Sequence, residues 1–140
     1  MRRVVAPALL GLALLSGCAR DDVLQVTGDY VSLRVRDYRY DHQDVRVRPG
    51  RILFGVTNEG PDPTNFRVRQ GDRDVLDITT MQPGEHGVGS ATLAPGTYVM
   101  YSSVGRNETL GEHGTLTVSR RIATPPPAQR TAAPQGLTQP

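Results

Sequence analysis

Arg48-Pro49-Gly50-Arg51-Ile52-Leu53-Phe54-Gly55-Val56-Thr57-Asn58-Glu59-Gly60-Pro61 is the stretch that decides the fold. A Pro-Gly turn opens it, and Asn58-Glu59-Gly60-Pro61 closes it with residues that favour tight turns. Between them Ile52, Phe54 and Val56 recur every second residue, so they share one face of a half-buried strand. The same period appears on either side of this stretch. Val31, Leu33 and Val35 form one upstream run, and Val45 and Val47 form another. Downstream come Phe66 and Val68, Tyr98 and Met100, and Leu116 and Val118. Gln70-Gly71-Asp72, Pro83-Gly84 and Pro95-Gly96 supply further turns. Nothing in this region has helical periodicity of useful length. Short strands punctuated in this way predict an all-β fold, a Greek-key sandwich of about six to eight strands in two packed sheets.

The ends of the chain read differently. Arg2 and Arg3 precede an apolar run from Val4 to Leu15, shorter than the roughly 20 residues of a membrane-spanning helix but suited to a signal peptide. Leu15-Ser16-Gly17-Cys18 follows and resembles the bacterial lipobox. That resemblance implies a signal peptide over 1–17, with diacylglycerol on the Cys18 sulfur and a further acyl chain, such as palmitate, on the new N-terminus. Two or three chains at about 0.8 kcal/mol per buried methylene hold a protein firmly at a bilayer. Residues 18–22 then form a short lipidated spacer and 23–121 a single β domain. Residues 122–140 are rich in Pro, Ala, Thr and Gln. With almost no large apolar side chains to bury, that tail is expected to be disordered and extended.

Charge narrows the possible partners. All 16 basic residues are arginine. The formal net charge of +2 comes from Arg2 and Arg3, so the chain without its leader is neutral. A nucleic-acid partner calls for a positive surplus on one face to displace counterions, and this balance argues against one.

Several features, in order, resemble the cupredoxin (blue-copper) family. The stretch at 48–60 is similar to that family's Pro-Gly turn and strand ending in Asn-x-Gly. Ala94-Pro95-Gly96-Thr97-Tyr98 is similar to the turn before its copper-binding strand, and Tyr101 to Val118 resembles its closing hairpin. The family's copper is held by two His, a Cys and a weak axial Met. Laying the family spacing on this chain puts Thr64, Ser102, Asn107 and Glu112 at those four positions, none of them the expected ligand. Cys18 is the sole cysteine, so no thiolate is available to the domain and a blue-copper centre is not expected. The resemblance implies that Thr64, Asn65, Ser102, Asn107 and Glu112 gather at one end of the sandwich. There they either hydrogen-bond to one another or bind a small polar ligand.

Three histidines remain, His42, His86 and His113. Together with Glu112 they are the candidates for a nitrogen-and-oxygen metal site. Adjacent residues on a strand point to opposite faces, so Glu112 and His113 chelate together only if both lie in a loop. The plainer expectation is that all three are exposed turn residues. A hydrolase triad through Ser102, Ser103 and His113 lacks a nucleophile elbow and an oxyanion hole, and no catalysis is expected.

These readings combine into a non-catalytic lipoprotein, anchored outside the cytoplasm at the cell membrane or outer membrane. Its cupredoxin-like domain is metal-free and without cofactor, and acts as a binding or scaffolding module for another envelope protein or polymer. The alternative is a copper- or zinc-binding envelope protein using His and carboxylate ligands. An immunoglobulin-like sandwich would change the topology but hardly the function.

Overall fold

The computed structural model describes residues 22–122. The leader 1–17, Cys18 and the tail beyond Ile122 lie outside the described residues. Ten strands form two sheets. The six-stranded sheet contains β1 (Val23–Gln25), β4 (Asp44–Val47), β10 (His113–Val118), β9 (Gly96–Tyr101), β6 (Thr64–Gln70) and β7 (Arg73–Met81), in that order across it. The four-stranded sheet runs β3 (Arg39–Tyr40), β2 (Tyr30–Arg36), β5 (Gly50–Asn58), β8 (His86–Leu93). One short helix, α1 (Asn107–Leu110), sits between β9 and β10. Eight of the strands have four residues or more, so the expectation of six to eight undercounts only by the very short β1 and β3.

The decisive stretch becomes β5, at the centre of the smaller sheet. It pairs in parallel with β2 and antiparallel with β8. Ile52, Phe54 and Val56 point inward, as do Val31, Leu33 and Val35 of β2, and all six are essentially buried. Phe54 meets Phe66 of the facing sheet at a ring distance of 5.6 Å, and Tyr40 packs edge-on against Phe66 at the same distance. Alternating side chains of the two inner faces thus interdigitate into one core.

Strand directions give the sandwich two poles. One pole gathers Val35, Asn58, Thr64, Met81, Tyr101 and His113, as the cross-strand registers require. The turns at Pro49-Gly50, Gln70-Gly71-Asp72 and Pro95-Gly96 lie at the other. The sheets are joined at the first pole by Asn58. Its amide donates to the carbonyls of Asp62 (2.8 Å) and Met81 (3.1 Å), and its side-chain oxygen accepts from the Gly60 N–H at 3.0 Å.

Close packing shows in the glycines. A Cβ on Gly87 would fall 2.5 Å from Ile78 Cγ2, and one on Gly89 would fall 2.9 Å from Ile78 Cγ1. Side chains of β7 therefore fill the inward positions that β8 leaves bare. Gly114 is held as closely and by backbone rather than side chain, because a Cβ there would lie 2.5 Å from the backbone oxygen of Gln43. That same oxygen accepts the Thr115 N–H at 2.7 Å.

Gly114→Ala is expected to lower unfolding free energy by about 1–3 kcal/mol, the usual cost of overpacking against groups that cannot retreat. Gly28→Ala, with nothing within 4 Å of its Cβ position, should cost much less. Urea unfolding of the two variants measures the contrast.

Candidate functional site

Residues from three segments meet at the pole marked by Asn58. Thr64 and Asn65 open β6, Ser102 follows β9, and Glu112 immediately precedes β10. Asn107 begins α1 in the loop between the last two. All five side chains are nearly or fully buried, with Ser102 and Glu112 only 1% exposed. Polar groups removed from water need partners, and these supply them to one another.

The contacts form a chain. The Glu112 carboxyl is hydrogen-bonded to Thr64 Oγ1, and Thr64 Oγ1 donates to Ser102 Oγ at 3.1 Å. Ser102 Oγ donates to Asn65 Oδ1 at 3.1 Å, while Asn65 Nδ2 donates to Ser103 Oγ at 2.9 Å. The Ser103 N–H closes the end of the chain on Asn65 Oδ1 at 2.8 Å. Backbone bonds fix the loop beside it, with the Ser102 N–H donating to the Glu112 carbonyl (3.3 Å) and the Glu112 N–H to the Asn107 carbonyl (3.0 Å). Asn107 Nδ2 donates to the Pro63 carbonyl at 3.3 Å, tying the loop to the start of β6.

Burial pushes the Glu112 carboxyl from its ordinary 4.5 up to about 7, against the opposing pull of hydrogen bonding from Thr64 and Asn107. A protonated Glu112 donates to Thr64, and the hydroxyls then run head to tail through Ser102 to Asn65. Beside the chain lies a cavity of about 20 Å³, lined by Val35, Tyr38, Asn58, Asp62, Thr64 and Glu112 among others. It has room for about one water.

Charged side chains brace the loop from outside. Arg69 of β6 pairs with Glu108 of α1 at 2.6 Å, and its guanidinium lies 4.2 Å from the centre of the Tyr101 ring. The Tyr101 hydroxyl donates to Asp74 at 2.7 Å, and Arg67 bridges Asp74 (3.2 Å) and Asp77 (2.9 Å). Each exposed pair contributes little alone. As a network it fixes α1 against β6 and β7.

The histidines do not join this cluster. His113 starts β10 on the exposed side while its neighbour Glu112 turns inward, so the two point to opposite sides and do not face one common ligand. His86 is exposed on β8, with Nδ1 2.9 Å from Thr57 Oγ1. His42, half-buried before β4, has Nδ1 3.9 Å from Asp22 Oδ2. Among the described residues no three His, Cys, Asp or Glu side chains are grouped to hold a metal ion. Cys18 lies outside the described residues.

Sequence reasoning passed over three contributors to this pole. Asn58, Tyr38 and Asp62 line the cavity, and Tyr38 donates its hydroxyl to Asp62. The Asn-x-Gly sequence was a usable signal for Asn58, since a buried Asn ahead of a turn serves backbone groups. The Tyr38–Asp62 pair spans 24 positions and leaves no local pattern.

No family model matches the sequence, and no curated protein matches it. Solved structures do resemble the fold. Auracyanin from Roseiflexus castenholzii, in its dithionite-reduced form, is 17% identical with a TM-score of 0.63, over 67% of this chain and 99% of its own. Auracyanin B is 17% identical with a TM-score of 0.61, over 71% and 95%. Auracyanin A, a blue copper protein from Chloroflexus aurantiacus, is 15% identical with a TM-score of 0.56, over 64% and 99%. At such identities the likeness concerns fold alone, and by fold the described domain is an all-β, cupredoxin-like sandwich.

Proposed function

We propose that this protein is a non-catalytic envelope lipoprotein, anchored through Cys18, whose cupredoxin-like domain works without a blue-copper centre as a binding or scaffolding module. The observation that carries this reading is the hydrogen-bonded chain from Glu112 through Thr64 and Ser102 to Asn65. Positions that the cupredoxin pattern assigns to copper ligands hold a carboxyl and hydroxyls that partner each other. The domain also contains no cysteine, and the Cu–thiolate bond on which a blue-copper centre depends has no donor. Support for the anchor is the lipobox-like Leu15-Ser16-Gly17-Cys18 behind a short apolar run. The partner class is another envelope protein or polymer, with no nucleic acid.

Titration of residues 22–121 with copper(I), copper(II) and zinc tests the metal-free reading. Weak, non-stoichiometric association is expected for all three. Micromolar or tighter binding at a defined stoichiometry, lost in His113→Ala or His86→Ala, would instead establish the metal-handling alternative.

Glu112 gives a second test. Its pKa is raised in the fold, so between 4.5 and about 7 the unfolded chain loses a proton that the folded chain keeps. Stability from this group is therefore fully present below pH 4.5 and is lost as pH rises through 7. The loss is on the order of 3 kcal/mol. Glu112→Gln keeps the shape and the hydrogen-bonding capacity without the proton, and should flatten that part of the stability profile while leaving the variant the more stable near neutrality. Parallel profiles for the two chains would show that Glu112 is not the buried acid described here.

A further inference from the structure

We infer that the bilayer faces the polar-cluster pole of the sandwich, and that the opposite pole, from which the C-terminal tail departs, points away from it. The inference rests on the anchor reading above and adds to it a direction. β1 runs parallel to β4, with Val23 opposite Asp44 and Gln25 opposite Arg46, and β10 lies parallel on the far side of β4, with Thr115 also opposite Asp44. Val23 is thus at the level where β10 begins, one strand-start away from Glu112. The register is held further by the Val26 N–H donating to the Arg46 carbonyl at 2.9 Å. Asp22, with Oδ2 3.9 Å from His42 Nδ1 just ahead of β4, lies at this same pole.

Only four peptide steps separate Cys18 from Asp22, a reach of at most about 14 Å. The longest strands, β5 and β7, have nine residues each, which gives the sandwich a length of about 30 Å. A tether that short, leaving from one pole, holds that pole nearer the lipid. At the other end, β10 finishes at Val118, and the Ser119 N–H donates to the Val47 carbonyl beside the Pro49-Gly50 turn. The tail therefore starts at the pole remote from the anchor. Charge does not set this direction, since exposed Arg39 and Arg106 share the anchored pole with Asp37 and Asp62. The tether and the strand direction do. Partners reached through the tail or the remote turns are those in the aqueous phase, while the polar cluster looks toward the membrane surface.

The sequence contains no tryptophan, so a single introduced one reports its own position. Leu110 is 53% exposed at the anchored pole, and Asp72 is exposed in the turn at the remote pole. The lipidated full chain carrying Leu110→Trp or Asp72→Trp would be reconstituted into vesicles containing a dansyl-headgroup lipid. Energy transfer to dansyl should be several-fold stronger for Leu110→Trp. Thr109→Trp, also exposed at that pole, repeats the measurement should Leu110→Trp fail to fold. Equal or reversed transfer in chains that float with the vesicles overturns the orientation and leaves the anchor intact. If the full chain floats no better than its Cys18→Ser counterpart, anchor and orientation fall together.

Discussion

A carboxyl group taken out of water must be neutral or closely partnered, and Glu112 at 1% exposure is under that constraint. The structure meets it in both ways. The carboxyl holds its proton up to about pH 7, and Thr64, Ser102 and Asn65 continue its hydrogen bond into a chain that ends on the backbone of Ser103. Each partner comes from a segment whose position the core fixes. β6 is pinned by Phe66 against Phe54 and Tyr40, and the 102–112 loop is braced by the Arg69–Glu108 pair. A fully satisfied network of this kind rigidifies the loop.

The same strand order that builds this pole also places the chain's entry beside it and its exit at the other end. Parallel pairing of β1 with β4, and of β4 with β10, is responsible. Gly114 permits it at the tightest point, where the Gln43 carbonyl comes close enough to exclude a Cβ. Packing, site and the points where the chain enters and leaves the domain are therefore linked through one short parallel ladder.

Much of the fold was legible where the alternation was intact. Ile52, Phe54 and Val56, with Val31, Leu33 and Val35, read as inward faces and are so. β8 was not legible as a strand, because Gly87 and Gly89 occupy its inward positions and the apolar groups there come from Ile78 and Met81 of β7. Within β7 the period breaks at exposed Thr79 and Thr80, opposite an irregularity between Thr64 and Phe66. β1 and β3, of three and two residues, are too short to show any period. At the site, the spacing taken from the resemblance picked out Thr64, Ser102, Asn107 and Glu112, and these four side chains are buried together at one pole. Spacing did not give the link from Asn58 to Met81 or the Tyr38–Asp62 pair, because bonds between distant segments exist only once the sheets have packed. The strand rule did separate Glu112 from His113, one turned inward and the other out.

The most direct test is to follow the side-chain carboxyl carbon of Glu112 by NMR as pH is raised across the folded range. A buried, hydrogen-bonded acid at the centre of this pole should titrate with a midpoint near 7. A midpoint near the ordinary 4.5 in the intact fold would mean that the carboxyl is in water, and would contradict the hydrogen-bonded cluster on which the proposed metal-free role depends.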